Sequence, residues 1–529
     1  MGLKQRIVER GKQALLQPSV LRWVTDDRVM KATEGLMDAR TRVKDAWKVL
    51  LNGNELPNVD PALDENIGQT ETAVAKKSNG HANGHVNGAT NGSATNGSAA
   101  RAETSERTEG SSDMAESMKE RSTLASVGGK DVFEKAYKFM AADNARKMGI
   151  YPFFRPLDFA DGPEAQINNK RVVMFGSNNY LGLTTHPKVR EAAKAAIDKY
   201  GTSMTGSRLV NGSMRLHEEF EEKLAKWFNK ESALVFTTGY QVNIATLAAL
   251  LSNKQTVAFI DRNVHASLYD GVRLGQSAGA RLVRYRHNDA ESLDKALEKL
   301  EADEGAFVIT DGVFSAEGEI AKLDELVPVV KKHQARLFVD DAHALGVIGP
   351  GGMGTAAHFG LLDQVDLIGG TFSKSMASIG GWLVGERKVL DYIRHFAPSF
   401  MFAAAAAPPS VAAAMAAFEV MQEETWRIDK LRENFTYMRE GLRSLGFELG
   451  HTQTAVIPIY IRQDLRTIMI WRDLLEEHGI YTNPFISPGV PPKSAMLRTS
   501  YMATHERHHL DRALEAFEKV GKKYGVIGK

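Results

Sequence analysis

From residue 128 onward, short apolar runs alternate along the chain with amphipathic stretches of helical length. The runs are nearly continuous in apolar character, as expected of strands that are buried on both faces of a sheet. They cover residues 233–236, 256–260, 306–309, 336–339 and 365–368. Helix-length segments such as 289–301 and 323–333 separate them. This alternation predicts an α/β fold in which a mostly parallel sheet is covered by helices.

The first 66 residues show a different pattern, in which apolar residues recur at helical spacing. Residues 1–50 contain eleven Lys and Arg against six Asp and Glu, so this segment is amphipathic and locally basic. Such a face fits docking to an anionic membrane surface or to a partner protein. The simpler interpretation is a helical N-terminal appendage over 1–66 that packs on itself or on the main body, because basic helical faces are common.

Residues 67–127 are rich in Asn, Gly and Ser and include a degenerate Asn-Gly repeat over 79–97. Such a segment cannot bury enough apolar surface to offset the entropy lost on ordering, so we predict a disordered linker. His81 and His85 lie within it. Without a fixed backbone to hold the two rings we expect no metal site there, and no other metal site is predicted.

The composition narrows the classes of function. Hydrophobic residues make up 43% and charged residues 25% of the chain, as in soluble globular proteins. A net charge of +1 gives no reason to expect a nucleic acid as a partner. The chain has no cysteine, which excludes disulfides and thiolate metal sites.

Targeting signals and membrane spans are not expected. The N-terminus has no secretory apolar region, and Arg6 stands where a myristoylation signal needs Ser or Thr. The most apolar stretch, 400–418, is alanine-rich and is interrupted by Pro408 and Pro409, so we predict a buried loop followed by a packed helix. These features predict a cytoplasmic protein, with peripheral contact to the inner membrane surface through 1–66 left open.

Polar residues follow the predicted strands, at the sheet edge where ligands of parallel sheets bind. The Gly-containing turn 237–240 precedes a predicted helix over 241–251, and the free N–H groups of such a turn suit a phosphate. The other strand ends carry aspartate, histidine and lysine in the segments 261–267, 340–343 and 369–375. Together they bring a phosphate cradle, a carboxylate, two imidazoles and an amine to one edge.

Each of these residues alone has an ordinary structural explanation, such as an aspartate that caps a helix. The combination is more specific. A lysine that forms imines, beside an aspartate that keeps a pyridine nitrogen protonated, is what pyridoxal phosphate requires. Pyridoxal 5'-phosphate is therefore the predicted cofactor.

Several motifs occur in a fixed order between residues 130 and 525. They are Ser177-Asn178-Asn179-Tyr180-Leu181-Gly182-Leu183, Gly206-Ser207-Arg208, Thr238-Gly239-Tyr240, His265-Ala266-Ser267, Asp340-Asp341-Ala342-His343 and Thr371-Phe372-Ser373-Lys374. In these motifs the chain resembles the α-oxoamine synthases, which are fold-type I pyridoxal-phosphate enzymes that condense an amino acid with an acyl-CoA. Within that family, the segments 236–240, 286–288 and 370–375 are most similar to the serine palmitoyltransferases.

The resemblance implies a fold-type I transferase with a mostly parallel sheet in a large domain and a smaller α+β C-terminal domain. The expected division is 128–170 as the N-terminal segment of the catalytic unit, 171–415 as the large pyridoxal-phosphate-binding domain, and 416–529 as the small domain. It also implies a homodimer with shared active sites.

The resemblance further implies roles for the site residues. Lys374 would bind the cofactor as a Schiff base and then act as the base at the substrate Cα. Asp340 would pair with the pyridine nitrogen, His265 would stack on the ring, and His343 would hydrogen-bond the phenolic oxygen. All four are expected to be catalytic.

The remaining roles implied are binding roles. Thr238, with the N–H groups of Gly239 and Tyr240 and the hydroxyl of Thr371, would hold the phosphate. Arg498 would bind the amino-acid carboxylate, a task that suits the planar guanidinium. Asn178 would contact the same substrate.

The reaction implied is the decarboxylating condensation of L-serine with a long-chain acyl-CoA. Alternatives within the family are 8-amino-7-oxononanoate synthase, ketobutyrate–CoA ligase and aminolevulinate synthase, which use alanine or glycine. Alternatives of another class are a non-catalytic subunit and a membrane or partner adaptor. The retention of Lys374, Asp340 and both histidines argues against a non-catalytic subunit.

The chain departs from the family at three places. The loop before the paired prolines usually carries Ser or Thr, which contacts the phosphate of the neighbouring subunit, but here residues 403–407 are all alanine. The loss of that contact would weaken cofactor binding by about 1.5–3 kcal/mol, the value of a charge-assisted hydrogen bond. The others are Ala377, where glycine is common, and Lys322, where proline is common.

Overall fold

The computed structural model describes residues 131–528. The predictions of an appendage over 1–66 and of a linker over 67–127 lie outside these residues. The described strands are β1 Phe159–Asp161, β2 Glu164–Ile167, β3 Lys170–Met174, β4 Ser232–Phe236, β5 Thr256–Asp261, β6 Arg281–Tyr285, β7 Gly305–Asp311, β8 Arg336–Asp340, β9 Leu367–Thr371, β10 Gly381–Gly385, β11 Val456–Tyr460, β12 Ile480–Tyr481, β13 Asn483–Phe485 and β14 Met496–Ser500.

The described α-helices connect and cover these strands. They are α1 Glu134–Tyr137, α2 Ala141–Lys147, α3 Pro187–Tyr200, α4 Arg215–Trp227, α5 Gly239–Leu250, α6 Ala266–Ser277, α7 Ala290–Leu297, α8 Leu323–Lys332, α9 Thr355–His358, α10 Arg387–Phe396, α11 Pro398–Met401, α12 Pro408–Glu423, α13 Trp426–Ser444, α14 Asp464–Glu476 and α15 Arg507–Lys523.

The central sheet has seven strands in the order β4-β10-β9-β8-β7-β5-β6. Strand β10 runs antiparallel to both of its neighbours, whereas the pairs from β9 to β6 are parallel. The prediction of a mostly parallel sheet covered by helices is therefore confirmed. Asp311 at the end of β7 is in register with Asp340 at the end of β8, and Asp340 is in register with Gly369 of β9. The carboxyl ends of these strands therefore meet at one edge.

The five predicted strands are present as β4, β5, β7, β8 and β9. The last strand was predicted at 365–368, but β9 begins two residues later and continues through Gly369, Gly370 and Thr371, where it pairs with β10. Two strands of this sheet were not predicted. Strand β6 is the edge strand and only Tyr285 in it is buried, and β10 has glycine at both ends of a short apolar run.

Two smaller sheets accompany the central one. Strands β11, β14 and β13 form an antiparallel sheet with β14 in the middle, helices α13 and α14 pack against it, and α15 packs against both helices. Strands β1, β2, β3 and β12 form the other, in which β12 pairs with β3 in parallel. The middle position of β14 matters for the site, because this strand carries Arg498.

The apolar stretch 400–418 is only partly as predicted. Most of α12 is buried and the helix packs against α3, which confirms the packed helix. The loop before it is mostly not buried, since Phe402 is 73% exposed and Ala404 is also exposed, and only Ala406 of residues 402–407 is buried. The main chain of the loop pairs with Ser207 at Ala404. None of the helices in residues 131–528 is both long and apolar enough to cross a membrane.

Candidate active site

A cavity of about 350 Å³ opens at the carboxyl ends of β7, β8 and β9, beside the start of α5. This is where a sheet with parallel strands binds its ligands. Among its lining residues are eight of the ten residues that the sequence singled out: Thr238, Gly239, Tyr240, His265, Asp340, His343, Thr371 and Lys374. The other two, Asn178 and Arg498, do not line this cavity but lie beside it.

The corner between β4 and α5 is shaped for an anion. Helix α5 begins at Gly239, and the Thr238 hydroxyl caps it by accepting a hydrogen bond from the Gln241 N–H at 3.1 Å. A side chain at 239 would place its Cβ 2.5 Å from the Cβ of Thr371, so only glycine allows this approach. The first-turn N–H groups of Gly239 and Tyr240 have no acceptor within the helix, and the helix dipole there favours negative charge.

Thr371 closes the other side of that corner. Its hydroxyl donates a hydrogen bond to the Gly380 carbonyl at 3.0 Å, and its oxygen accepts one from the Ser373 N–H at 3.1 Å. The hydroxyl oxygens of Thr371 and Ser373 are 2.8 Å apart, and Ser373 also lines the cavity. The corner therefore brings two hydroxyl groups and a helix N-terminus together, and a hydroxyl there can turn its proton from its present acceptor to an anion.

Lys374 lies three residues after the end of β9 and points its amine into the cavity. Burial lowers the pKa of Lys374 from 10.5 to about 8, with the positive charge of Arg498 adding to the effect and Asp340 opposing it. About a tenth of the amine is then unprotonated at neutral pH, against far less for an ordinary lysine. An amine in this state is a nucleophile and a base.

The Asp340 carboxylate is held by two donors. The Asn243 side-chain amide donates to Oδ2 at 2.7 Å, and the Ala342 N–H donates to Oδ1 at 2.9 Å. Asp311 faces the same cavity from the neighbouring strand. Burial, with the charge of Asp340, raises the pKa of Asp311 well above its usual range, so Asp311 holds a proton more readily than an ordinary carboxyl does.

His265 precedes α6 and caps it. Its main-chain N–H donates to both carboxylate oxygens of Asp311, at 3.3 and 3.2 Å, and its Nδ1 is 2.7 Å from the Ser267 hydroxyl. The ring is open to the cavity on one side. Burial by the surrounding protein nevertheless lowers the pKa of His265, although the charge of Asp340 opposes this effect. The lowered pKa favours the neutral imidazole.

His343 is the second imidazole of the site and is buried. Its Nδ1 is hydrogen-bonded to the Tyr180 hydroxyl at 2.7 Å. Burial and the positive charge of Lys374 lower the pKa of His343 well below its usual value, and burial raises the pKa of Tyr180 to about 12. Both groups are therefore neutral at physiological pH.

Arg498 reaches the site from β14 and is buried. Its Nε donates to the Ser315 carbonyl at 2.6 Å, and its Nη2 donates to the Asn178 side-chain oxygen at 3.0 Å. These bonds fix the plane of the guanidinium. Its charge lowers the pKa of both Lys374 and His343, so it lies near the cavity without lining it.

The structure adds site residues that were not predicted: Asn243, Ser267, Asp311, Ser373 and Tyr180. Asn243 lies four residues after Gly239, which places both on one face of α5. Ser267, Ser373 and Tyr180 occur inside motifs that were noticed only for their neighbours. Asp311 ends a strand whose last two residues were not recognised as strand.

The alanine loop 403–407 is held by its main chain. The Thr237 hydroxyl donates to the Ala404 carbonyl at 2.7 Å, and the Ala405 N–H donates to the Gly206 carbonyl at 2.9 Å. The imidazole of His217 lies 3.2 Å from the Ala406 carbonyl oxygen. None of these bonds needs a particular loop side chain, so the loop can keep this path with alanine at every position.

The other two departures have local structural consequences. Ala377 has φ of +51°, the left-handed region that favours glycine, so alanine is strained there. The Lys322 N–H donates to the Asn288 side-chain oxygen at 2.8 Å, a bond that a proline could not make. Neither residue lines the cavity.

Comparisons with known proteins show what the chain is similar to. The model of the family described as aminotransferase class I and II matches residues 170–517. A serine palmitoyltransferase of Sphingobacterium spiritivorum is 42% identical over 390 residues, which are 74% of this chain and 96% of that protein. An 8-amino-7-oxononanoate synthase of Thermoanaerobacter pseudethanolicus is 38% identical over 386 residues, which are 73% of this chain and 96% of that protein.

Solved structures show the same relationship. A serine palmitoyltransferase determined with a pyridoxal-phosphate internal aldimine superposes with a TM-score of 0.72 at 33% identity, covering 75% of this chain and 100% of that chain. The enzyme of Sphingomonas wittichii gives a TM-score of 0.72 at 34% identity, with the same coverage.

Proposed function

The chain belongs to the aminotransferase class I and II family and, within it, to the pyridoxal-phosphate-dependent α-oxoamine synthases, and from this premise we propose that it condenses L-serine with a long-chain acyl-CoA. The products are a 3-keto long-chain base, CoA and carbon dioxide. The observation that carries the proposal is the joint placement of the Lys374 amine, the Asp340 carboxylate and the Arg498 guanidinium around one cavity edge.

The residues present fit pyridoxal phosphate. The close approach of Gly239 to Thr371 leaves a corner with free N–H groups, which suits the phosphate. We assign the phosphate to the N–H groups of Gly239 and Tyr240 together with Thr238 and Thr371. When bound, the cofactor supplies an electrophilic carbon for the substrate amine and an electron sink for negative charge at Cα.

Two side chains of the protein act on the substrate: the Arg498 guanidinium binds it and the neutral Lys374 amine deprotonates it. Arg498 binds the amino-acid carboxylate through its planar fork, with Asn178 next to it. Lys374 would hold the cofactor, and its free amine would accept the proton from Cα of the bound substrate. The lowered pKa of Lys374 suits this task, because a base works best when its pKa lies near the operating pH.

Three further side chains would hold and tune the cofactor ring. The negative charge of Asp340 would keep a proton on the pyridine nitrogen. The neutral His265 ring would pack against the cofactor and exclude water from it. His343, oriented by Tyr180, would hydrogen-bond the phenolic oxygen.

The condensation follows from this arrangement. The Cα carbon forms a bond with the thioester carbonyl carbon, and the CoA thiolate leaves and takes up a proton. The carboxylate of the resulting β-keto acid leaves as carbon dioxide, and its electron pair is protonated at Cα. The chain, not bulk water, must supply that proton if the product is to be a single stereoisomer, and Lys374 is placed to do so.

The test is a substrate panel. The cofactor-loaded protein is incubated with serine, alanine or glycine and with acyl-CoA thioesters of increasing length, and CoA release and the ketone product are measured. We expect serine with long-chain acyl-CoA to give the highest kcat/KM. A preference for alanine with a pimeloyl thioester would instead support 8-amino-7-oxononanoate synthase, the second candidate, which the 38% identical relative favours.

We also propose that the active unit is a homodimer with shared active sites. Large apolar side chains are exposed around the cavity mouth and the alanine loop, among them Val210, Ile379 and Phe402 at 74%, 62% and 73% exposure. A second copy would cover them. We further propose that the catalytic unit divides into 128–170, 171–415 and 416–529, and that residues 1–66 make peripheral contact with a membrane. Truncation before residue 128 tests the membrane contact by comparing vesicle binding and turnover.

A further inference from the structure

A chain of hydrogen bonds joins Asp340 to His265, the two residues assigned to the pyridine nitrogen and to the ring of the proposed cofactor. The Asn243 amide nitrogen donates to the Asp340 carboxylate at 2.7 Å and to the Ser267 hydroxyl oxygen at 2.8 Å. The Ser267 hydroxyl lies 2.7 Å from Nδ1 of His265. Asn243 and Ser267 have no role in the reaction described so far.

The chemistry of the groups gives this chain a direction. Asp340 accepts only, so the side-chain atom of Asn243 that faces it is the nitrogen, which donates only. Ser267 then accepts a hydrogen bond from Asn243, which leaves its own proton free to point to Nδ1 of His265. The Ser267 main-chain N–H points to the same Nδ1 at 3.3 Å. With two donors aimed at Nδ1, the ring proton of His265 must be on Nε2.

We propose that Asn243 and Ser267 are positioning residues that hold His265 in its neutral form with the proton on Nε2. The inference rests on the proposed function for the roles of His265 and Asp340. In this form the ring presents an N–H donor, and no positive charge, to the cofactor and the substrate carboxylate. Asn243 thereby links the protonation state of His265 to Asp340, the residue that would pair with the pyridine nitrogen.

The packing of α5 against α6 supports a built arrangement. Asn243 lies on α5 and Ser267 on α6, and both are buried. A Cβ at Gly271 on α6 would lie 2.8 Å from the Asn243 carbonyl oxygen. Glycine there lets the two helices approach closely enough for the side chains to meet. The Asp311 carboxylate fixes the main chain of His265 by accepting hydrogen bonds from its N–H group.

The charged groups around His265 act in both directions. Asp340 from β8 and Asp270 from α6 favour protonation of the ring, whereas Lys374 from the segment after β9 opposes it. Asp311 lies at its main chain, and the Tyr240 ring is edge-on at 6.4 Å. The net result is a lowered pKa of His265, caused first by burial. A donor at Nδ1 acts in the same direction, because protonation there would break that bond.

The direct test measures the protonation of His265 in the full-length, cofactor-loaded protein. Diethylpyrocarbonate modifies only unprotonated imidazole, and peptide mass spectrometry of the His265 peptide at a series of pH values gives the midpoint. We expect the midpoint pH for Ser267→Ala to be about one unit higher, which corresponds to a tenfold higher proton affinity of His265. Asn243→Ala should shift it in the same direction, since the Ser267 hydroxyl is then no longer held by Asn243 and can accept a hydrogen bond from a protonated Nδ1.

Two further variants make the result specific. Ser267→Thr keeps the hydroxyl and should restore the original midpoint. Thr246→Val is the matched control, because Thr246 is buried on the same helix as Asn243 and its hydroxyl has no hydrogen-bond partner among the described residues. A midpoint in Ser267→Ala and Asn243→Ala equal to that of the unaltered protein and Thr246→Val would overturn the proposal.

This measurement needs no substrate, so it separates the two proposals. A protein that showed the shifted midpoints but no condensation of serine would contradict the proposed function alone. A protein that condensed serine with unshifted midpoints would contradict only the role of Asn243 and Ser267.

Discussion

Arg498 and Asn178 are joined by a hydrogen bond of 3.0 Å although they are 320 residues apart in the chain. Arg498 comes from the middle strand of the three-stranded sheet, and Asn178 lies just after β3. The bond fixes the guanidinium plane beside the cavity. The substrate-binding group is therefore oriented by a residue that the chain supplies before the central sheet begins.

Replacing Arg498 with lysine should weaken amino-acid binding without removing the cofactor. Lysine keeps the charge but loses the planar fork and the bonds to Ser315 and Asn178. We expect the dissociation constant for the amino acid to rise about 10- to 100-fold, as for the loss of hydrogen bonds to a charged group. The measurement is the absorbance change on titrating the loaded protein with the amino acid. Arg336→Lys, at an exposed ion pair, is the control and should bind normally.

The lowered pKa of Lys374 predicts how cofactor loading depends on pH. Only the unprotonated amine reacts with the cofactor aldehyde, and burial favours that form. The loading rate of the cofactor-free protein should therefore rise with pH and level off above about 8. The measurement is stopped-flow absorbance after mixing with pyridoxal phosphate. A rate that continued to rise towards pH 10.5, the value of an ordinary lysine, would contradict this account of Lys374.

Asp340→Asn should retain the cofactor but lose most of the turnover. An amide is close in size to the carboxylate and can still contact Asn243, yet it cannot keep the pyridine nitrogen protonated. We expect kcat to fall at least about 100-fold, which corresponds to ~2.7 kcal/mol in the barrier. Steady-state kinetics with a fully loaded protein measures this. Normal turnover of the variant would mean that the charge of Asp340 is not used.

A hydroxyl restored to the alanine loop should tighten cofactor binding. We expect one of the variants Ala403→Ser, Ala404→Ser, Ala405→Ser and Ala407→Ser to lower the cofactor dissociation constant about 10- to 100-fold, as for one charge-assisted hydrogen bond. Ala406 is buried, so Ala406→Ser is the control and should give no gain. Equilibrium dialysis gives the constants. If all four exposed or half-buried positions gave no gain, the loop would not reach a phosphate.

The ion pair between Arg208 and Glu221 should be important for stability. Its atoms are 2.8 Å apart, both side chains are about nine-tenths buried, and Glu221 also accepts the Val235 N–H at 2.9 Å. Arg208→Ala leaves a buried charge without its partner, and we expect a loss of about 3–5 kcal/mol in the free energy of unfolding. Arg215→Ala breaks an exposed pair with Glu218 on the same helix and should cost about 0–1 kcal/mol. Chemical denaturation compares the two variants.

The sequence revealed the strands and the residues at their ends because both follow one local rule. A strand buried on both faces is apolar along its whole length, and the polar residues after it stand out. Asp340, His265 and Lys374 could be found in this way. Strand β6 could not, since it lies at the edge of the sheet and mixes polar with apolar residues.

The contacts between distant segments could not be derived from local pattern. Arg498 was identified only through resemblance, because its place beside the cavity depends on β14 meeting the segment that carries Asn178. Asn243 is one polar residue in a helix, and its importance depends on the position of Ser267 on another helix. The loop at 402–407 was predicted to be buried because alanine and phenylalanine are apolar, but Phe402 and Ala404 are exposed and the main chain of Ala404 pairs with Ser207.

The central claim is that Lys374 carries the cofactor, and one measurement tests it most directly. The protein is loaded with pyridoxal phosphate, reduced with borohydride, digested and analysed by peptide mass spectrometry, beside Lys374→Ala treated in the same way. We predict a pyridoxyl group on the peptide containing Lys374, with no label, no cofactor absorbance and no condensation in the variant. A label on another lysine, or absorbance and condensation that survived in Lys374→Ala, would contradict the account.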